Sequence, residues 1–251
     1  MAVELAEQVT DNAVRALRPG RRSGFGRHGA IVSALLHVLL QQRCFGELAG
    51  GEHMAPDLAL GACPQAASGL TVPRTVITNA PEHAAEHSTY LGPSAVYKAL
   101  ASATVADGNR VAFIPTTEVT TAEMADGRVA LTAHQFQARV PKVRDVRATV
   151  VGNRVFAATI LPPEDGTIDW RANYAALHYE PVTLPNTVEA ALLSLLDRLG
   201  LAFAAADFVV TADGQHHFVD LNPSGQWGWI QEATGLPIAA ALAAYLTGEA
   251  P

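Results

Sequence analysis

Two carboxylates and an amide near the ends of a predicted hairpin are the residues best suited to chemistry: Asp207, Asp220 and Asn222. They lie in Ala206-Asp-Phe-Val-Val-Thr-Ala-Asp-Gly-Gln-His-His-Phe-Val-Asp-Leu-Asn-Pro-Ser-Gly-Gln-Trp227. Asp213-Gly214, between two apolar-rich runs, predicts a β-hairpin with a type I′ turn. A two-residue turn pairs Ala212 with Gln215, and counting outward sets Asp207 directly opposite Asp220. Asn222 lies two residues on, so strand alternation puts it on the same face as Asp220. Two like charges facing across a ladder are destabilising. A hard cation between them reverses that sign, and Mg²⁺ prefers carboxylate and amide oxygens together with phosphate and water. The alternative is a pair of solvated residues near strand ends. Phe208, Val209, Val210, Phe218, Val219 and Leu221 speak against it, because they predict a mostly buried sheet in which an ionised group needs a partner.

A second concentration of charge lies in Gln135-Phe-Gln-Ala-Arg-Val-Pro-Lys-Val-Arg-Asp-Val-Arg-Ala-Thr-Val-Val-Gly-Asn-Arg-Val-Phe-Ala-Ala-Thr-Ile160. Gly152-Asn153 is a turn between two β-branched runs, and a two-residue turn puts Asp145, Arg147 and Thr149 on one face. Asp145 and Arg147 read either as site residues or as a cross-sheet ion pair, which is worth little if exposed. Gly92 to Lys98 reads as a strand ending in a lysine, and a solvent-facing end is the plain alternative for Lys98. Asp169-Trp-Arg-Ala-Asn-Tyr174 is a short polar and aromatic segment after the loop Pro162 to Thr167.

The elements that must position these groups follow from standard start and stop signals. Gly69 ends a helix, Thr75 to Thr78 forms a short strand, and Asn79 caps a helix that starts at Pro81. Ala101 to Gly108 reads as a loop and Val111 to Thr117 as another strand. Asn186-Thr-Val-Glu189 has the capping-box pattern. Val188, Leu192, Leu195, Leu196 and Leu199 follow at helical spacing, and Gly200 stops the helix. Trp227 to Thr234 reads as a turn plus a short helix, and Leu236 to Leu246 as a closing amphipathic helix. Gln226 and Trp227 fit a substrate side, and Trp227 and Trp229 fit the core equally well.

Length suits one large or two small domains. A net charge of −7 without a basic stripe argues against a nucleic-acid binder. Cys44 and Cys63 have no CxxC spacing and read as free thiols of a reducing, cytoplasmic compartment. Met1 to Leu17 reads as a short helix and Arg18 to Arg27 as a flexible basic loop without a P-loop pattern. Ala30 to Leu40 is apolar but too short to span a bilayer, and acidic residues before it argue against a signal peptide. Gly46 to Gly61 reads as loop.

Asp207, with Asp220-Leu-Asn222-Pro-Ser-Gly-Gln226-Trp227, resembles the metal-binding end of the ATP-grasp superfamily. The Asn-Pro-Ser-Gly-Gln-Trp run is similar to the ATP-grasp ligases that mature ribosomal peptides, the microviridin or graspetide enzymes. Ala66-Ala-Ser-Gly-Leu-Thr-Val-Pro-Arg-Thr-Val-Ile-Thr-Asn79 resembles the entry into that ATP domain. The resemblance implies an α+β, ATP-grasp fold, in which two α+β lobes with antiparallel sheets clamp ATP. It places an atypical or truncated N-terminal region at 1–65, a first lobe at 66–134 and a second lobe at 135–251. Lys98 then matches a lysine that holds the nucleotide phosphates, and Ala101 to Gly108, with Ser102, a mobile loop over them. Gln137, Ala138, Arg139 and Val140 match the hinge whose backbone reads adenine; the family's glutamate is replaced there by Ala138. Asp145 matches an acidic residue near the ribose, and Arg147 a phosphate or acyl-phosphate contact. Arg171, assisted by Asn173, matches an arginine that clamps the transferring phosphate, for which a planar guanidinium fork is suited.

Asp207, Asp220 and Asn222 match the ligands of Mg²⁺, or Mn²⁺ in its place; Asp220 stands where the family usually has glutamate. The implied activity is ATP-dependent activation of Asp or Glu side chains of a precursor peptide, followed by ω-ester or ω-amide closure with Thr, Ser or Lys. Arg147 and Arg171 are its candidate catalytic residues. The implied partner is that peptide, with neither nucleic acid nor membrane, and a homodimer is compatible with the family. A glutamate or amino-acid ligase of the ribosomal-protein-modifying type shares the same residues. So does a non-catalytic ATP- or peptide-binding module.

Overall fold

The computed structural model describes residues 64–99, 104–107, 110–161, 167–171 and 177–248. The readings of residues 1–63, including both cysteines, lie outside these residues, as do those of Ser102 and Asn173. The chain divides into two units, with boundaries between Arg74 and Thr75 and between Ala138 and Arg139. The first described element, helix α1 (Pro64–Ala67), belongs to the second unit. Gly69, at φ +90°, follows it.

In the first unit, β1 (Thr75–Thr78), β2 (Ala95–Lys98), β5 (Thr117–Val119) and β6 (His134–Ala138) form an antiparallel sheet in the order β1-β6-β2-β5. Helices α2 (Pro81–Glu86), α3 (Ser88–Leu91) and α4 (Thr121–Met124), with a 3₁₀ turn at Gly127–Leu131, supply Ala84, Leu91, Met124 and Val129 to its core. Val76, Ala95 and Phe136 meet them from one face of the sheet. Alternation sends Thr75, Lys98, Gln135 and Gln137 to the other. Part of the expected loop at Ala101 to Gly108 is strand: β3 (Thr104–Asp107) pairs with β4 (Arg110–Phe113). The single strand expected from Val111 to Thr117 is divided between β4 and β5, which pair with different partners on either side of Pro115. Asn79 does not cap α2. The N-cap is Ala80, whose N–H donates to Thr78 Oγ1 at 3.0 Å.

The second unit holds β7 (Arg144–Val151), β8 (Arg154–Leu161), β9 (His178–Val182), β10 (Phe203–Val210) and β11 (His216–Asn222). Their order is β11-β10-β7-β8-β9, antiparallel throughout. Helix α5 (Asn186–Leu199) buries Leu192, Leu195 and Leu196 against Val146, Ala148, Ala204, Ala206 and Phe208 on one face. Helices α6 (Gly228–Thr234) and α7 (Ile238–Thr247) bury Ile230, Ile238 and Ala241 against Val151, Phe156 and Ala158 on the other. The capping box expected at Asn186 does not form. Pro185 is the N-cap, and its carbonyl accepts from Val188 and Glu189 N–H. Gly200 ends α5 at φ +66° as expected.

The β10–β11 hairpin corrects the predicted turn. A type I′ turn needs positive φ at both central residues, and Asp213 has none; only Gly214, at φ +86°, does. Thr211 N donates to Gln215 O at 3.0 Å, so three residues form the turn and Val210 pairs with His216. That moves the register by one residue. A bulge at Val219 moves it back, because Phe208 pairs with Phe218 while Asp207 pairs with Asp220. The predicted opposition of the two carboxylates is therefore correct, through two offsets that cancel.

Leu195→Ala, at a fully buried position, should lower unfolding free energy by about 2–5 kcal/mol. Leu246→Ala, on the exposed side of α7, should change it by no more than about 0.5 kcal/mol. Chemical denaturation of both variants tests which faces the second unit buries.

Candidate functional site

Charge enters the centre of the second sheet on the face shared with α6 and α7. Register sets Arg147 on β7 against Asp207 on β10, and Asp207 against Asp220 on β11. Arg147 Nη1 donates to Asp207 Oδ1 and Oδ2, both at 3.0 Å. Arg171 Nη2 donates to Oδ2 at 3.3 Å. Arg147 and Asp207 are 7% and 5% exposed. One buried carboxylate is thus neutralised by two guanidiniums, which the low-dielectric interior demands. The alternative Asp145–Arg147 ion pair is not what these residues make.

Asp145 is held instead by Lys142, whose Nζ donates to both carboxylate oxygens at 2.7 and 2.6 Å and to the Ile168 carbonyl at 2.8 Å. This lysine ties residues 167–171 to the sheet. Asp169 then holds Arg171, with the Arg171 N–H donating to Oδ1 at 3.0 Å and Nη1 lying 3.8 Å from Oδ2. Burial pushes the Asp145 carboxyl up to about 6; Lys142 opposes that shift, and the negative charges of Asp207 and Asp169 add to it.

Arg147 also lies under the Asn-Pro-Ser-Gly-Gln loop. Its Nη2 donates to the Gln226 carbonyl at 3.4 Å. A Cβ on Gly225 would stand 2.8 Å from that Nη2 and 2.4 Å from Ala205 Cβ. Glycine is required there by close approach. Asn222 Oδ1 accepts from Ser224 N–H at 3.0 Å, which shapes the same loop.

The proposed metal ligands Asp207, Asp220 and Asn222 share a sheet face, as expected. Among the described residues, the Asp220 side chain makes no hydrogen bond or ion pair, and no group of three or more His, Cys, Asp and Glu side chains forms a ready metal cluster. The set here is two carboxylates and one amide oxygen. Asp207 Oδ1 carries one hydrogen bond, from Arg147, and a carboxylate oxygen accepts about two. The donors therefore fit a hard cation, although the expectation of Asp207 as a ligand alone overlooked its two arginines.

In the first unit, Lys98 closes β2 opposite Gln135. Gln137 is 4% exposed, and its Nε2 donates to Thr75 Oγ1 at 2.9 Å. Ala138 ends β6, and Arg139 and Val140 follow outside the strand. Sequence reasoning brought Asp145, Arg147, Arg171, Asp207, Asp220 and Asn222 to the site region. It missed Lys142, whose signal was its place three residues before Asp145, and it singled out Asp169 with its segment but not as the partner of Arg171. It also missed Gly225, whose signal was its place in the motif loop.

No protein-family model and no curated protein matches the chain. Its structure is similar to the macrocyclase MdnC of Microcystis aeruginosa MRC, solved with the precursor peptide MdnA. Identity is 26% and the TM-score 0.65, over 93% of this chain and 76% of that one. It is similar to a RiPP-associated ATP-grasp ligase of Chryseobacterium gregarium, solved with ADP and a leader and core peptide. Identity is 21% and the TM-score 0.67, over 91% and 72%. The ATP-grasp ligase PsnB, solved with Mg, ADP and a phosphomimetic variant of a minimal precursor, matches at 22% identity and TM-score 0.57. Here 74% of this chain covers 56% of that one. The chain has the ATP-grasp fold. Within that fold its resemblance is to ligases of ribosomal-peptide maturation.

The raised Asp145 carboxyl has a calculable consequence. Between the ordinary carboxylate value of 3.8 and about 6, folded Asp145 keeps a proton that the unfolded chain has lost. Its contribution to stability is complete below that window and is lost as pH rises through it. Denaturation across this range should show the decline in wild type and not in Asp145→Asn. Carboxyl NMR titration should place the Asp145 midpoint higher in Lys142→Met and lower in Asp207→Asn. Gly225→Ala should cost about 1–3 kcal/mol by overpacking and displace Arg147, read as a shift of its side-chain NMR resonance.

Proposed function

We propose that this chain is an ATP-dependent ligase of ribosomal-peptide maturation. It activates Asp or Glu side chains of a precursor peptide as acyl phosphates and closes ω-ester or ω-amide rings. The observation that carries the reading is the convergence of Arg147, Arg171, Asp207, Asp220 and Asn222 on one sheet face, in a fold similar to enzymes solved with ADP and peptide.

In the first step a substrate carboxylate oxygen attacks the γ-phosphorus of ATP and ADP leaves. In the second, a Thr or Ser hydroxyl or a Lys amine attacks the acyl carbon, losing its proton as inorganic phosphate departs. Neither step needs a protein nucleophile. Arg171, with its side chain 25% exposed, presents guanidinium N–H groups to the transferring phosphoryl group. Arg147, deeper in the sheet, adds positive charge where negative charge accumulates. Lys98 holds the nucleotide phosphates, and the backbone of residues 137–140 reads the adenine edge. Asp145 lies near the ribose. Asp207, Asp220 and Asn222 would hold Mg²⁺, or Mn²⁺ in its place, which when bound would supply charge neutralisation to the phosphates.

The test is mass spectrometry of peptides rich in Thr, Lys, Glu and Asp after incubation with enzyme, ATP and Mg²⁺. Loss of one water per ring, coupled to ADP release and absent in Arg171→Ala, is the expected result. Addition of an amino acid to the peptide would instead indicate the amino-acid ligase. ADP release without any change in peptide mass would contradict ring closure.

A further inference from the structure

The two guanidiniums that meet at Asp207 are joined a second time, through aromatic rings. Arg147 Cζ lies 5.8 Å from the centroid of Trp229. Arg171 Cζ lies 5.2 Å from that of Trp170. The two indoles stand 5.5 Å apart, tilted by 37°. Asp207, Arg147, Trp229, Trp170 and Arg171 therefore form a closed ring. Both cation–ring distances fall within the range of cation–π attraction, and the indole pair within that of aromatic packing.

This ring joins separate parts of the chain. Trp229 comes from α6, immediately after the motif loop, and Trp170 from the segment that Lys142 ties to the sheet. Tyr179 on β9 supports Trp229 from a centroid distance of 5.2 Å. Trp170 is 5% exposed. A guanidinium keeps its charge and its outward N–H groups while its flat face rests on an indole. Two arginines held on one common aromatic support keep a fixed separation, so a phosphoryl group contacted by the more exposed Arg171 meets the charge of Arg147 at a set distance.

We propose that Trp170 and Trp229 are positioning residues that hold Arg147 and Arg171 as a single clamp for a phosphoryl anion. The assignment of the anion rests on the ligase reading above; the coupling of the two arginines does not. A packing role alone predicts lower stability when an indole is removed. It does not predict that the disturbance runs both ways round the ring, from Trp229 to Arg171 and from Trp170 to Arg147, and is relieved when an aromatic face is kept at Trp229.

The experiment uses the full chain and two readouts. Arginine Nε–Hε resonances are recorded without ligand, and binding of Mg-ATP is measured by calorimetry. Trp229→Leu should shift and broaden both the Arg147 and the Arg171 signals and weaken Mg-ATP by about tenfold. Trp229→Phe, which keeps an aromatic face, should recover most of both effects. Leu246→Ala, on the exposed side of α7, should leave both arginine signals in place. Trp170→Phe is a milder substitution that reads the ring from the other end and should move the Arg147 signal as well as that of Arg171. If Trp229→Leu leaves Arg171 at its wild-type position, or if Trp170→Phe leaves Arg147 unmoved, the clamp is overturned. If wild type does not bind Mg-ATP, the ligase reading fails, while the arginine spectra still decide the coupling.

Discussion

A carboxylate in the middle of a buried sheet cannot stand alone, and much of the second unit answers that constraint. Asp207 sits on the central strand pair, 5% exposed, with Arg147 directly across the ladder and Asp220 on its other side. Desolvation of such a charge costs several kcal/mol unless strong hydrogen bonds replace the lost water. Two guanidiniums supply them. Each needs its own support: Asp169 for Arg171, and the motif loop and Trp229 for Arg147. Lys142 and Asp145 then fix the segment that delivers Arg171.

The sheet separates this chemistry from its scaffold. Even positions on β10 (Ala204, Ala206, Phe208, Val210) pack with α5, while odd positions carry Ala205 and Asp207 to the charged face. Small residues on that face serve access. Ala205 and Gly225 together leave room for the loop to approach Arg147, which a single added methyl would fill. The larger apolar core therefore lies on the α5 face, while the other face shares its area between the smaller core under α6 and α7 and a charged region that balances three cations against three carboxylates.

Much of this was legible in local sequence. Period-2 alternation placed Asp145, Arg147 and Thr149 together, and the Gly152-Asn153 turn has the two-residue length expected, with Val151 paired to Arg154. The opposition of Asp207 and Asp220 was legible for a partly wrong reason, since a longer turn and a bulge compensate each other. What sequence did not show is choice of partner. Asp145 and Arg147 look like a pair because they lie two residues apart, yet each binds a residue brought by tertiary structure. The Trp170–Trp229 contact spans 59 positions, and no periodicity signals it. The helices form at Pro81 and at Asn186, but the caps expected from Asn79 and Asn186 do not, because Ala80 and Pro185 occupy the N-cap positions.

The proposed ligase needs the carboxylates and arginines around Asp207 to bind nucleotide phosphate and a metal ion. The most direct measurement is calorimetry of ATP with and without Mg²⁺ on wild type, Asp220→Ala and Lys98→Ala. The Asp220 side chain makes no hydrogen bond or ion pair among the described residues, so its truncation should leave the fold intact and change only what the site binds. Micromolar binding by wild type that requires Mg²⁺, and is lost in both variants, is the predicted result. Absence of binding at millimolar ATP, or equal Mg²⁺-dependent binding by wild type and Asp220→Ala, would contradict it.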